Sequence, residues 1–119
     1  MRQSTFTKGR FGEELAAREL EKLGITVIER NFRALGGEID LIGVEEATLV
    51  FVEVKNWTRY SIGDLEISIN KKKRERIIET AKYFMLNNRK YSDMSVRFDI
   101  IFIGDGAVTH IASAWQENI

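Results

Sequence analysis

Apolar residues recur at helical spacing in two segments of the chain and at strand spacing in five. A period of 3.6 residues indicates an amphipathic helix, and a short alternating or apolar run between turn residues indicates a strand. The order α-β-β-β-α-β-β predicts an α/β fold with a mixed central sheet flanked by helices, and residues 1–119 are expected to form a single domain. The predicted helices cover residues 11–23 and 69–88, and the strands cover 25–32, 38–44, 48–55, 96–103 and 107–112.

Both predicted helices carry an apolar stripe. In the first helix, Glu13 lies at the edge of the stripe, whereas Glu14 is four residues before Arg18 and is expected to form an exposed ion pair with it. Of these two acids, Glu13 is therefore expected nearer the core, and Gly24 is expected to end the helix. The stripe of the first helix consists of Phe11, Gly12, Leu15, Ala16, Leu20 and Leu23, and that of the second of Ile77, Ile78, Ala81, Phe84 and Met85.

The second and third predicted strands form a hairpin, and charged residues end its otherwise apolar third strand. That strand is apolar on both alternating faces, so we expect it to be covered on both sides, yet it ends in Glu53 and Lys55. The turn allows paired residue numbers to add up to 92 or 93. The value 93 places Asp40 opposite Glu53, and Glu38 opposite Lys55, on one face. We predict 93, because 92 would scatter costly charges among apolar side chains.

Two carboxylates at cross-strand distance repel each other unless one is protonated or a cation lies between them. Ligands that are all oxygen favour Mg²⁺ or Mn²⁺. Lys55 projects from the same face as Glu53, where an ammonium group can orient an attacking water. The set predicts hydrolysis of phosphodiesters, in which a metal polarises the phosphoryl oxygen. The competing interpretation is a pair of strand-end salt bridges, Glu38–Lys55 among them, and the spacing alone does not decide between the two.

Composition limits the other chemistry that is available to the chain. It has no cysteine and one histidine, which excludes disulfides, thiolate catalysis and His-rich metal sites. No apolar run approaches the ~20 residues of a membrane span, and the first ten residues lack the apolar core of a signal peptide. We therefore expect a cytoplasmic protein that does not enter the membrane.

The net charge is zero, but basic residues are concentrated in one sector. Residues 55–76 contain seven basic and three acidic residues, a distribution that suits contact with phosphates. Lys73 is four residues before Ile77 and is expected to reach the sheet, whereas Lys71 and Lys72 are expected to point outward. This sector predicts a nucleic-acid-binding surface.

Two polar residues in the predicted last strands have structural interpretations. Asp99 lies inside an apolar strand and is expected to pair with Arg97 or a neighbouring base. His110 is expected at the surface of its strand, and Trp115 is expected to pack as an end cap.

Several short motifs together resemble one family. They are Gly9-x-x-Gly12-Glu13, Arg30-Asn31-Phe32-Arg33, Gly37-Glu38-Ile39-Asp40-Leu41-Ile42, Phe51-Val52-Glu53-Val54-Lys55, Lys73 with Arg76-Ile77 and Ala81, and Arg97-Phe98-Asp99-Ile100. The chain resembles the YraN-like family of small uncharacterised proteins, classed by fold with the PD-(D/E)xK restriction-endonuclease-like nucleases.

The resemblance implies a restriction-endonuclease-like fold and a role for each matching residue. Asp40, Glu53 and the Val54 carbonyl would hold Mg²⁺ or Mn²⁺, and Lys55 would be the catalytic lysine. Glu13 would be an additional acid from the first helix, as in archaeal-type Holliday junction resolvases.

One position departs from the family pattern. The family often has an arginine two residues after the motif lysine, where this chain has Trp57. Arg59 is the nearest substitute for the missing phosphate contact. Trp57 and Tyr60 beside it either pack a loop or stack on unpaired bases.

The expected function is therefore metal-dependent hydrolysis of DNA, structure-specific or non-specific, because no base-reading element is visible. Branched DNA is the candidate substrate, and a homodimer is a candidate assembly for it. The alternative is a non-catalytic nucleic-acid-binding or recombination-accessory module that retains the fold. The residues expected to contact nucleic acid are Lys71, Lys72, Lys73, Arg74 and Arg59.

Overall fold

A computed structural model describes residues 5–56, 70–104 and 106–115, with side chains from Phe11 onward. The helices are α1 (Thr5–Lys22) and α2 (Lys71–Leu86), and a 3-10 helix covers Arg89–Tyr91. The strands are β1 (Thr26–Ala34), β2 (Gly37–Glu45), β3 (Thr48–Asn56), β4 (Ser95–Gly104) and β5 (Ala107–Trp115). The sequence-based expectations for Trp57, Arg59 and Tyr60 fall outside the described residues.

The predicted order of elements is confirmed, and the five strands form one mixed sheet in the order β1-β2-β3-β4-β5. Neighbouring strands are antiparallel, except that β3 and β4 are parallel. This exception follows from α2, which lies between β3 and β4 in the chain, since parallel neighbours need a crossover connection. Within the described part of the chain, neither helix is both long and apolar enough to cross a bilayer.

Each face of the sheet is covered by one of the two described helices, which explains why β3 is apolar on both faces. The face under α1 buries Ala16, Ala17, Leu20, Ile25, Leu41, Val50, Val52 and Ile101. The face under α2 buries Ile39, Ile42, Leu49, Phe51, Ile77, Ile78, Ala81, Phe84 and Phe98.

The buried stripe of α1 is narrower than predicted, and the helix begins earlier, at Thr5. Phe11 and Leu23 are 66% and 52% exposed, so their assignment to the core was wrong, whereas Ala17 is buried. The buried side consists mainly of small residues, so the helix lies close to the sheet and its larger flanking side chains stay in solvent. Gly24 has a φ of +84°, as expected for the residue that ends a helix.

α2 is fixed by its N-terminal cap and by a close contact with the sheet near its middle. Asn70 caps the helix, because its side chain accepts a hydrogen bond from the Lys73 amide at 2.9 Å. Further along, the buried Thr80 lies against Gly37, where a Cβ atom would collide with its hydroxyl. The hydroxyl also donates to the Arg76 carbonyl at 2.8 Å. These contacts set the position of the helix over the start of β2.

Strict side-chain alternation breaks down where β1 and β2 meet. Ile39 packs under α2 and Leu41 packs under α1, although residues two apart in a regular strand share a face. On β1, Arg30 binds Glu14 of α1, while Phe32 packs edge-on against Phe84 of α2, with ring centroids 5.1 Å apart. The strands therefore switch faces between these pairs.

A buried polar cluster joins β4 to β5. Asp99 is fully buried and, as predicted, accepts two hydrogen bonds from Arg97, at 2.9 and 3.0 Å. His110 was wrongly predicted at the surface, because its Nε2 lies 2.7 Å from Asp99 Oδ2 and its side chain is only 11% exposed. A break in register opposite Asp99 also brings the Ser113 amide to Asp99 Oδ1 at 2.9 Å. Trp115 stacks on Phe98, with ring centroids 5.2 Å apart, as expected for an end cap.

Candidate metal and nucleic-acid site

A cleft of about 440 Å³ lies between the start of α2, the start of β2 and the end of β3. Its carboxylates come from the sheet, and its cationic side chains come from α2. The sheet contributes Gly36, Gly37, Glu38, Asp40 and Glu53, and the helix and its cap contribute Asn70, Lys72, Lys73, Arg76 and Ile77. Charges of both signs thus face one another across a shared space.

The predicted hairpin register places the two central acids in this cleft. Paired residue numbers add up to 93 from Glu45–Thr48 to Leu41–Val52, as predicted. One step further, the Val54 amide donates a 2.7 Å hydrogen bond to Asp40 Oδ2. The Asp40 side chain thus binds the β3 backbone directly at the point where the paired residues end.

The environment of Asp40 disfavours its charge. Burial is the main cause, the charge of Glu53 is the second, and together they raise the pKa of Asp40 to about 8. Glu13 and Glu38 act in the same direction, while the hydrogen bond from Val54 opposes them. Three acids therefore act on the Asp40 carboxyl, and a bound cation would relieve this repulsion.

Glu53 is the most buried acid of the cleft, at 9% exposure, and two lysines neutralise it. Lys73 Nζ lies 3.1 Å from Glu53 Oε1, and Lys55 Nζ lies 3.5 Å from the same oxygen. Lys55 thus pairs with the acid on its own strand and not with Glu38, which lies 3.5 Å from Arg33 across β1. Lys73 thus reaches the end of β3 from α2, in agreement with the predicted approach to the sheet.

The pKa values of the two lysines are shifted in opposite directions. Burial, followed by contact with Lys73, lowers the pKa of Lys55. Burial also works against the charge of Lys73, but contacts with Lys55 and Glu53 outweigh it and raise the pKa of Lys73. Two ammonium groups share one carboxylate, so Lys55 releases its proton more readily than Lys73 does.

The acids of α1 divide as expected. Glu14 is exposed and lies 2.8 Å from Arg30 and 3.7 Å from Arg18, so it is occupied in surface ion pairs. Glu13 is half-buried, and its Oε2 accepts a 3.0 Å hydrogen bond from Asn31 Nδ2. Glu13 also faces Asp40 closely enough to act on its pKa.

The donor set suits a hard cation that keeps part of its water shell. Among the described residues, Glu53 Oε2 and Asp40 Oδ1 take part in no hydrogen bond or ion pair, so each acid has an oxygen free for a ligand. No three His, Cys, Asp or Glu side chains converge on one point in residues 5–56, 70–104 and 106–115. Mg²⁺ is commonly held by only one or two carboxylates together with water, so this pair fits it.

The basic residues of α2 lie beside the acids. Lys71 and Lys72 are exposed, as predicted, and Arg74 is half-buried. Arg76 also lines the cleft and was not among the predicted site residues. It is four residues after Lys72, so helical spacing would have placed both on one side.

Comparisons with known proteins agree with the sequence motifs. The model of the uncharacterised protein family UPF0102 matches residues 12–103. A UPF0102 protein of Treponema pallidum (strain Nichols) is 41% identical over 118 residues, covering 93% of this chain and 94% of the relative. Similar proteins from Dechloromonas aromatica (44% identical; 97% and 93% covered) and Persephonella marina (40% identical; 94% and 96% covered) carry the same description.

Proposed function

The chain belongs to the uncharacterised protein family UPF0102, which is the YraN-like group, and we propose that it is a metal-dependent nuclease that hydrolyses DNA phosphodiesters. One observation carries the proposal: Asp40, Glu53, Lys55 and Lys73 converge at the end of the β2–β3 hairpin. Burying two acids beside each other raises a carboxyl pKa to about 8, and strongly shifted pKa values cluster at functional sites.

In this proposal Asp40, Glu53 and the Val54 carbonyl hold Mg²⁺ or Mn²⁺. The ion supplies a Lewis acid that offsets negative charge on the phosphoryl group. Lys55, with its lowered pKa, accepts a proton from the attacking water at Nζ. Lys73 keeps its proton and contacts the scissile phosphate.

Glu13 orients the attacking water from the side of α1, or binds a second metal. The exposed Lys71 and Lys72, with Arg74, contact the flanking phosphates along the start of α2. Phosphate contacts of this kind position DNA without reading its sequence. Structure-specific or non-specific cutting follows, and branched DNA is the first substrate to test.

A non-catalytic nucleic-acid-binding module is the second candidate, and the state of Glu53 favours it. Lys73 and Lys55 already neutralise this acid, so the cleft is close to charge balance without a metal. Such a module would bind DNA through α2 and would neither bind Mn²⁺ nor cleave.

Cleavage assays with Mn²⁺ on duplex, single-stranded, flap and four-way DNA separate the two candidates. We expect wild-type cleavage of at least one substrate and a loss of about 100-fold or more in Lys55→Ala, since proton transfer contributes on that order. Calorimetry should detect Mn²⁺ binding to the wild type and little to Asp40→Ala. Cleavage that persists unchanged in Lys55→Ala would contradict the proposed mechanism.

A further inference from the structure

Asn31 on β1 holds Glu13 of α1, the acid that also acts on the pKa of Asp40. Its Nδ2 donates to Glu13 Oε2 at 3.0 Å, joining residues that are 18 positions apart. Asn31 is exposed, so core packing does not require an amide at this position. A different side chain at position 31 would be unable to make the hydrogen bond to Glu13.

The backbone of Asn31 is also unusual for a strand. Its φ is +52°, in the left-handed region, which asparagine and aspartate tolerate and which suits glycine best. This conformation lets two consecutive side chains contact the same helix, since Arg30 binds Glu14 and Asn31 binds Glu13. In regular alternation they would point to opposite faces.

The register brings this feature to the candidate site. Arg30 pairs with Leu41 and Phe32 pairs with Ile39, so Asn31 lies across from Asp40 on the neighbouring strand. Backbone strain that is retained beside a functional group is a recognised sign of a functional constraint.

We propose that Asn31 is a positioning residue, which fixes the position of the Glu13 carboxylate relative to Asp40 through its amide and its left-handed backbone. The inference rests on the proposed nuclease function. Glycine at position 31 would satisfy the backbone equally well, so the amide is the part of Asn31 that serves Glu13.

Two substitutions separate the amide from the backbone. Asn31→Gly keeps the left-handed conformation and removes the donor, whereas Asn31→Asp keeps the shape and places a carboxylate against Glu13. Glu14→Gln is the matched control, because it weakens the neighbouring contact between α1 and β1, at 2.8 Å, outside the cleft. We expect melting temperatures of Asn31→Gly and Glu14→Gln close to that of the wild type.

The readouts are kcat and KM on the best-cleaved DNA, together with Mn²⁺ affinity from calorimetry. We expect kcat or Mn²⁺ affinity to fall about 10- to 100-fold in Asn31→Gly and further in Asn31→Asp, with an unchanged KM for DNA. Glu14→Gln should match the wild type. The double variant Glu13→Gln/Asn31→Gly should lose no more activity than Glu13→Gln alone, because both changes act on the same carboxylate, that of Glu13.

Additive losses in that double variant, or equal losses in Glu14→Gln, would overturn the positioning role while wild-type cleavage upheld the nuclease. Wild-type activity in Asn31→Gly would show that only the backbone conformation at position 31 matters, and it would also overturn the positioning role. A wild type that neither cleaves DNA nor binds Mn²⁺ would overturn both proposals.

Discussion

Asp40 links the strand geometry to the chemistry of the cleft. It accepts the Val54 amide where pairing between β2 and β3 ends, so the acid completes the sheet and faces the cleft at once. Its carboxyl is buried beside Glu53, and the pKa is raised to about 8. A side chain in this position is held firmly but carries its charge at a cost.

The raised pKa of Asp40 predicts how metal-free stability depends on pH. The unfolded chain loses this proton near pH 4 and the folded chain near pH 8, so the contribution of Asp40 to stability declines as pH rises between those values. Asp40→Asn should therefore stabilise the metal-free protein near pH 8 by about 1–2 kcal/mol, a figure discounted for partial solvation. The gain should vanish near pH 4, as measured by urea denaturation.

Glu38→Gln is the control for this measurement, because Glu38 lies in the same cleft but contributes least to the shift. Its gain near pH 8 should be smaller than that of Asp40→Asn. Saturating Mg²⁺ should reverse the order, so that the wild type becomes more stable than Asp40→Asn. Equal effects of Asp40→Asn at pH 5 and pH 8.5 would contradict the assigned cause.

Among the elements, α2 depends on a close approach to β2. Gly37 has no Cβ where Thr80 packs, and the Thr80 hydroxyl also lies 3.4 Å from the Ala34 carbonyl. The helix is thereby held above the β1–β2 turn, with Lys73 one turn from its cap and 3.1 Å from Glu53. Packing at one end of the helix thus determines where its lysine lies.

Gly37→Ala should push α2 away from the sheet. We expect a loss of about 1–3 kcal/mol in unfolding free energy, the usual cost of overpacking, and a weaker contact between Lys73 and Glu53. Thr80→Ala removes the obstructing hydroxyl, so the double variant should lose less than the two single losses added together. Gly36→Ala is an unsuitable control because its φ is +78°, and Gly12→Ala serves instead, since its Cβ would meet the Asn56 side chain under α1. A double variant that loses the full sum would show that Thr80 is not the obstacle.

The sequence predicts the elements and the hairpin register well, because both follow from local periodicity. The value 93 depended only on keeping Asp40 and Glu53 out of apolar surroundings, and it holds over the observed pairs. The partner of Lys55 and the contact of Asn31 were not predictable in this way. The contact of Asn31 depends on a left-handed residue inside a strand, which alternation does not reveal. The partner of Lys55 depends on tertiary contacts, because Arg33 pairs with Glu38 and Lys55 is left beside Glu53.

The same reasoning explains the error at His110. Exposed and partly buried residues alternate at the start of β5, and His110 follows this pattern. Nothing in the neighbouring sequence indicates that it has a buried partner. The irregular register opposite Asp99 closes the polar cluster, and Ser113 in that stretch has a φ of +52°. Irregularities of a strand depend on tertiary packing. Periodicity in the sequence therefore locates the strand but not the partner of its histidine.

At the scale of the whole molecule, zero net charge conceals a separation of charge. Lys71 and Lys72 extend into solvent from the start of α2, at the edge of the cleft that holds the acids. Phosphate binding should therefore be local. Long-range attraction of DNA should be weak, because the net charge is zero and 0.1 M salt screens individual charges beyond about 10 Å.

Reversing two charges at the start of α2 tests this arrangement. Lys71→Glu/Lys72→Glu should weaken binding to every DNA alike, and should reduce the slope of log affinity against log salt by about 2, one unit for each phosphate that is no longer neutralised. Mn²⁺ affinity should not fall, because neither lysine contacts Asp40 or Glu53 and a glutamate at position 72 adds negative charge to the cleft. Arg89→Glu/Lys90→Glu is the matched control: it changes net charge by the same amount at two exposed positions beyond the other end of α2. If DNA binds through a local surface, the control keeps the wild-type slope, whereas equal weakening in both variants would mean that total charge alone governs binding.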